Sequence, residues 1–365
     1  MEQISLFNIE KPIIETITID VQTHIEALKT LKVLSLFSGC GGLDLGVRGD
    51  FESLGNKYEK NPYEIVFAND IVQKACDTYE YNFGHKAICG DIRDIDLNLL
   101  PEVDIVIGGF PCQDFSLAGK RKGLSAERGR LYLEMKRVIE YCKPIAFIAE
   151  NVDGLRIIKT GQDTTALDVI IDEFRSIGYN VVYNVLNAAD YGVPQSRIRV
   201  MIVGIKADLK LKMKYPSRTH GEFGKQSWIT AKQAIDDLWD KLSKTDIPNH
   251  TINDYSRAKF YPGKKMQGNC QIAGNKPSPT IRSEHHGNIE GHFRSLDESD
   301  PNNMEKWRRL SVRECARLQT FPDNFEFPCS SSDAYKQIGN AVPPVLGWHV
   351  ARALYLSLNE KDPEN

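Results

Sequence analysis

The sequence predicts an α/β protein, a doubly wound and mostly parallel sheet carrying a second, smaller and irregular domain. Two observations predict it. Short apolar runs ending in glycine or a carboxylate alternate with helix-spaced segments over the first two hundred residues, the pattern of a sheet covered by helices on both faces. Beyond Ile205 that alternation stops, and residues 207–308 are rich in Lys, Gly, Asn, Pro and His with no period.

The elements follow in order. Residues 1–30 lack a strong pattern and read as an N-terminal extension. Lys32 to Phe37 (KVLSLF) reads as the first buried strand, and Glu64 to Ala68 as the second. A helical stretch from Ile71 to Phe83 comes next. Asp104 to Gly109 and Ile145 to Glu150 repeat the strand design, with helical spacing from Leu131 to Tyr141 between them. Regularity returns at Ser311, where Ser311 and Glu314 form a capping box for a helix through about Gln319. Pro343 and Pro344 suit the first turn of a last helix, whose Val345, Trp348, Ala351, Leu354, Tyr355 and Leu358 share one face.

Composition narrows the class. A chain of 365 residues is too long for one compact core, and its 41% hydrophobic and 26% charged content is that of a globular protein. No apolar run reaches the roughly 18 residues that span a bilayer, and residues 1–10 lack a signal-peptide pattern. A cytosolic protein is expected. Eight cysteines contain no C-x-x-C pair, so neither a zinc site nor any other metal is expected. A net charge of −3 excludes a simple polycation but not a local basic cleft. Residues 206–225 carry six cations against two acids, and Lys120, Arg121 and Lys122 form a second cluster.

In such sheets ligands bind beyond the carboxyl ends of the strands. The first strand ends in Phe37-Ser38-Gly39-Cys40-Gly41-Gly42-Leu43-Asp44, where glycines let a ligand approach the backbone at a helix start. A dinucleotide loop would have glycine at position 44, and the aspartate there argues against NAD. Asp70 and Asp91 stand at two further strand ends. Each alone is an ordinary helix cap, but together with Asp44 they point to one nucleoside-shaped ligand. The fourth strand ends in Gly108-Gly109-Phe110-Pro111-Cys112-Gln113, a tight turn that presents a thiol. The other seven cysteines read as packing. Glu150-Asn151-Val152 brings a carboxylate to the same edge, and alternation puts Gln195, Arg197 and Arg199 on one side of a further strand.

With these residues in this order, the chain resembles the DNA cytosine-C5 methyltransferase family. The resemblance covers residues 31–206 and 309–350 and includes the glycine loop, Pro111-Cys112-Gln113, Glu150-Asn151-Val152 and Gln195-x-Arg197-x-Arg199. Arg313-Glu314-Cys315-Ala316-Arg317-Leu318-Gln319 and Gln337-Ile338-Gly339-Asn340-Ala341-Val342-Pro343-Pro344 also match. It implies the Rossmann-like fold of S-adenosylmethionine-dependent methyltransferases. Its domains would be a catalytic unit at 31–206, target recognition at 207–320, a hinge at 321–333 and returning helices at 334–359.

The resemblance implies that Cys112 attacks carbon 6 of a flipped cytosine, making carbon 5 nucleophilic. Glu150 would hold or protonate ring nitrogen 3, and Arg199 would bind the base carbonyl with Arg197 and Gln195 in support. It assigns Phe37, Gly39, Gly42, Asp70, Ile71, Asp91, Ile92, Pro111, Leu131 and Asn340 to S-adenosylmethionine. Asp70 departs from the family's usual Glu by one methylene. For double-stranded DNA it implies Gln113, Lys120 and Arg128 in a closing loop, with Gln195, Thr280, Arg282 and Glu284 near the bases.

The setting implied is the modification half of a bacterial restriction system, acting as a monomer on a short site without contacting its nuclease. The family's transfer-RNA branch is the rival, but its Cys-Phe-Thr signature is absent. A catalytically dead DNA-binding member is disfavoured by intact Cys112, Glu150 and Arg199. A thiol hydrolase lacks a histidine partner for Cys112, and an amino-group methyltransferase would carry Pro-Pro-Tyr or Pro-Pro-Phe where Pro111-Cys112 stands.

Overall fold

The computed structural model describes residues 17–22, 29–111, 131–160, 163–242, 246–254, 270–283, 292–297, 299–300 and 303–360. Seven strands form the central sheet: β1 (Leu31–Leu36), β2 (Tyr63–Asp70), β3 (Ile88–Cys89), β4 (Ile105–Gly108), β5 (Ala146–Val152), β6 (Tyr179–Asn187) and β7 (Ile198–Lys206). Their spatial order is β3-β2-β1-β4-β5-β7-β6. All neighbouring pairs are parallel except those of β7, which runs antiparallel between β5 and β6.

The strands are apolar because both faces are covered. Val33, Ile105, Ile107, Ile148, Met201 and Val203 face one core, with helices α1 (Gly42–Arg48) and α7 (Pro344–Leu358). Leu34, Leu36, Val106, Phe147, Ala149, Val200 and Ile202 face the other. That second core is closed by α3 (Leu131–Cys142) and α4 (Ala166–Arg175), with α2 (Gln73–Phe83) following β2. The strand alternation read from the sequence is thus present, with β2 longer than expected and α2 starting two residues later.

The last helix departs from a one-sided stripe. Every residue of α7 from Pro344 to Tyr355 is buried, His349 and Arg352 included. The helix lies against α1 so closely that a Cβ at Gly46 would meet the Pro344 carbonyl at 2.3 Å and the Trp348 nitrogen at 2.7 Å. The extension is also partly absorbed: Thr18–Ile19 pairs in parallel with Tyr215–Pro216, and Val21 is buried where Arg352 Nε donates to its carbonyl.

In the region beyond β7, the described residues hold a capped helical turn (Ala231–Ile235) and a small sheet of Cys270–Gln271, His292–Arg294 and Arg308–Arg309. Helix α5 (Val312–Leu318) carries the expected Ser311–Glu314 capping box, and α6 (Ser331–Asn340) precedes α7. Between α5 and α6, Phe321, Phe325 and Phe327 are buried against one another.

The α1–α7 contact yields a prediction. Gly46→Ala puts a methyl group against main chain that cannot rotate away, so the helices must separate. The expected loss is about 1–3 kcal/mol, read as a lower urea midpoint with unchanged slope.

Candidate active site

Register brings Glu150 and Arg199, two of the candidate residues, to the carboxyl edge of the sheet. Glu150 of β5 lies opposite Met201 of β7, and Arg199 lies opposite Val152. Two residues apart on adjacent strands, Glu150 and Arg199 occupy one face as diagonal neighbours. Arg199 Nε stands 2.7 Å from Glu150 Oε1, with side chains only 11% and 10% exposed. A charged pair this enclosed keeps its carboxylate fixed and shielded from bulk water.

Gly109 makes room for that carboxylate. It continues β4 one residue past the Gly108–Ala149 pairing, and a Cβ on it would lie 3.0 Å from Glu150 Oε2. Asn151 ties the same turn down, its Nδ2 donating to the Phe110 carbonyl at 2.8 Å. Phe110 is buried beside Tyr132 of α3, leaving Pro111 exposed at the edge. These positioning roles of Gly109 and Asn151 were not read from the sequence, because they depend on which strands are neighbours. Cys112, Gln113, Lys120, Arg128 and Glu284 lie outside the described residues. Val152, Ile157 and Ile198 are exposed apolar groups, on the segments that carry Glu150 and Arg199.

The second half of the edge lies beyond β1 and β2. The Ser38 N–H donates to the Asn69 carbonyl, and the Gly39 N–H donates to Asp70 Oδ2 at 2.8 Å. Asp70 Oδ1 accepts the Val72 N–H at 2.8 Å. Burial raises the Asp70 pKa above the usual carboxylate value, opposed by these backbone donors. Phe37 and Gly39 both hold positive φ, 53° and 56°. A Cβ at Gly39 would meet nothing within 4 Å, so the loop offers an open cradle there. Ile71 and Val72, 65% and 52% exposed, leave apolar surface beside Asp70.

Other expected contacts have different surroundings. Gly42 faces the Val342 carbonyl, 2.5 Å from where its Cβ would be, and so serves packing. The Asp91 carboxylate caps the next turn and is gripped by Arg93, which lowers its pKa. The Ile92 side chain is buried in the core, and its carbonyl accepts from Arg137, so neither group is presented to a ligand. Leu131 starts α3 half-buried, and Asn340 is exposed at the end of α6. Asp44, grouped with Asp70 and Asp91 in the sequence, is instead fully buried beneath the loop, accepting the Tyr79 hydroxyl at 3.0 Å. Burial pushes its pKa up to about 6.

The expected alternation of residues 195, 197 and 199 also requires correction. Of the three, only Arg199 belongs to β7. Arg197 is buried and donates to the carbonyls of Ile281, Gly339 and Ala341, each at 2.9 Å. Burial depresses its pKa well below the usual value. Gln195 is wholly buried, donating to the Leu318 carbonyl and Gln319 Oε1 and accepting the Ile281 N–H. With no exposed surface it cannot touch a duplex. These side chains instead hold residues 280–283 in place. Thr280 Oγ1 donates to the Ser196 carbonyl, and exposed Arg282 follows at the surface. In the basic stretch, Lys214, Arg218 and Lys225 are paired with Glu360, Asp190 and Asp20.

With this geometry in hand, similarity to known proteins becomes informative. The family described as C-5 cytosine-specific DNA methylase matches residues 31–355. The chain is 39% identical over 336 residues to the Type II methyltransferase M.NgoFVII of Neisseria gonorrhoeae, covering 86% of this chain and 83% of that one. It is 35% identical to the Type II methyltransferase M.BsuRI of Bacillus subtilis, covering 92% and 82%. Among solved structures, the Entamoeba histolytica methyltransferase EhMeth superposes with a TM-score of 0.66 at 17% identity, covering 90% of this chain and 98% of that one. At such identity the likeness speaks for the fold alone.

Asp44 generates a pH prediction. Its folded pKa of about 6 exceeds the ordinary 3.8, so the folded chain binds that proton more tightly than the unfolded chain does. The resulting stability is present below about pH 4 and is lost as pH rises through about 6. Asp44→Asn has no such loss. Urea unfolding of both proteins from pH 4 to 7 is expected to show the variant gaining relative to the parent across that window.

Proposed function

The chain belongs to the C-5 cytosine-specific DNA methylases and is a DNA cytosine-5 methyltransferase; from that premise we propose how it acts and on what. It methylates carbon 5 of a cytosine flipped out of a short, specific duplex sequence, through a covalent bond from Cys112 to carbon 6. It serves as the modification enzyme of a bacterial restriction system, a monomer in the cytosol that does not contact its nuclease. The relatives' names as Type II methyltransferases support that setting.

The observation that carries the mechanism is the Glu150–Arg199 pair, flanked by Gly109 in the turn that leads to Cys112. Thiol attack on carbon 6 pushes electron density toward ring nitrogen 3 and the base carbonyl. Nitrogen 3 takes up a proton from solvent, its N–H then donates to the Glu150 carboxylate, and Arg199 donates to the carbonyl oxygen, so charge developing on the ring is offset where it appears. Cys112 leaves once the carbon-5 proton has been removed. Arg197 and Gln195 do not touch the base. They position the segment at 280–283, from which Thr280, Arg282 and Glu284 would reach the DNA. Gln113, Lys120 and Arg128 would close on it from the other side. A flipped base costs a few kcal/mol of lost pairing and stacking, which this enclosed site offsets by binding the base edge.

S-adenosylmethionine supplies the methyl group when bound. The open cradle at Gly39, the Asp70 carboxylate and the exposed Ile71 fit its adenosine. Phe37, the backbone of Gly42 and Ile92, Asp91, Pro111, Leu131 and Asn340 would complete the pocket. Asp70, already fixed by two backbone donors, is oriented to accept ribose hydroxyls.

The test uses labelled S-adenosylmethionine, with mixed-sequence duplex DNA and transfer RNA in parallel samples, and nucleoside analysis. 5-Methylcytosine is expected from the parent and none from Cys112→Ser. Glu150→Gln is expected to lose about 10²–10⁴ in turnover. Arg199→Ala is expected to lose about 10²–10³. Asp70→Ala should weaken S-adenosylmethionine binding roughly tenfold or more, as when a charged hydrogen-bond acceptor is removed. Label on an amino nitrogen, or on transfer RNA alone, would overturn the proposal.

A further inference from the structure

Gly339 is a glycine that no turn requires. It lies buried in the last turn of α6, with helical rather than left-handed backbone, where glycine weakens a helix relative to alanine. A close neighbour accounts for it. A Cβ at Gly339 would lie 2.2 Å from the carbonyl carbon of Arg282 and 2.3 Å from the Ser283 nitrogen. The peptide bond between Arg282 and Ser283 therefore rests directly on the helix, in space that any side chain at 339 would fill.

We propose that Gly339 is a specificity-determining residue: by having no side chain, it sets how closely the segment at 280–283 packs on α6 and hence where Arg282 meets a base edge. It is a positioning residue and does not itself touch DNA. This inference rests on the proposed reading of that segment as the part that reaches the duplex. The segment is also held from its other side. The Ile281 N–H donates to Gln195, and its carbonyl accepts from Arg197. The other arm of Arg197 donates to the carbonyls of Gly339 and Ala341. One guanidinium thus clamps the segment against the helix, with Gly339 at the seat of the clamp.

Bulk added at 339 displaces the segment rather than the helix. Gln319 Nε2 donates to the carbonyls of Ile338 and Ala341, which fixes the end of α6 from behind. Just beyond, the Val342 carbonyl abuts Gly42 in the glycine loop after β1, 2.5 Å from where a Cβ there would be. Arg282, by contrast, is exposed. To regain ordinary contact at 3.4–4 Å, the 282–283 peptide has to move by roughly 1 Å. A paired contact from an arginine to a base edge is directional, so a shift of that size removes discrimination at the base pair Arg282 reads. Contacts to phosphate carry no sequence information and do not compensate for it.

The experiment first maps the parent's methylation site on mixed-sequence duplex DNA. kcat/KM is then measured on duplexes carrying that site and each single-base-pair change in it, for the parent, Gly339→Ala and Arg282→Ala. S-adenosylmethionine binding is titrated by calorimetry alongside. Gly339→Ala is expected to bind S-adenosylmethionine as the parent does and to lose about tenfold or more in discrimination, at the same base pair that Arg282→Ala relaxes. If Gly339→Ala does not fold, Arg197→Lys takes its place: it adds no bulk but opens the clamp, and is expected to relax that same base pair. A loss spread evenly over all sequences, or weakened S-adenosylmethionine binding, makes Gly339 a packing residue only and overturns the inference. Unchanged discrimination, while Arg282→Ala relaxes a base pair, overturns it too and leaves the reading of the segment standing. Unchanged discrimination in Arg282→Ala overturns that reading and, with it, the inference.

Discussion

The site depends on one strand running against the others. Were β7 parallel to β5, its carboxyl end would lie at the functional edge and its first residues at the far end of the sheet. Because it is antiparallel, Arg199 enters at that edge and faces Glu150 across the ladder. The same reversal places Gln195 and Arg197, just ahead of the strand, where the irregular region meets the sheet. One strand direction thus fixes both the charged pair and the attachment of the segment that follows Ser278.

Buried guanidinium groups do the joining. A charge withdrawn from water is costly unless its donors are met; Arg197 and Arg313 turn theirs to main-chain carbonyls, leaving only the Arg197 Nε unmet of the two, and Arg352 divides its donors between main chain and side chains. Arg197 reaches residues 281, 339 and 341. Arg313 reaches Pro248, Pro322 and Phe325. Arg352 reaches Val21 and also Asn61 and Glu59. The forks gather mainly chain outside helices and strands, and Arg197 adds a carbonyl from the last turn of α6. Removing Arg197 or Arg313 strands three main-chain carbonyls at once, which couples the irregular parts to the regular ones.

The two halves of the edge are built differently. Around Glu150 the parts are held on rigid strands, with Gly109 and Asn151 fitting the turn to the carboxylate. Around Asp70 the parts are loops braced from below, where Gly41 rests on the Phe83 ring and Tyr79 bonds Asp44. In the proposed function, the group that stabilises developing charge benefits from the rigid design, since geometry need not reorganise during the reaction. The pocket proposed to admit and release the cofactor is served by the braced loop.

The sheet, its helices, the capping box at Ser311 and the candidate acids at strand ends were legible in the sequence, because each is written in local periodicity or in adjacent residues. Asp44 misled because a strand-end acid reads the same whether it faces solvent or core. Gln195 and Arg197 misled for a related reason: alternation predicts a face only inside a strand, and β7 begins one residue later, at Ile198. Nor does sequence contain the Gly109–Glu150 approach or the burial of α7 on all sides. Those follow from strand order and direction, which bring together residues dozens of positions apart. By itself the sequence determined which groups are available to do chemistry; the tertiary structure alone decided which of them meet, because that choice is made by long-range packing.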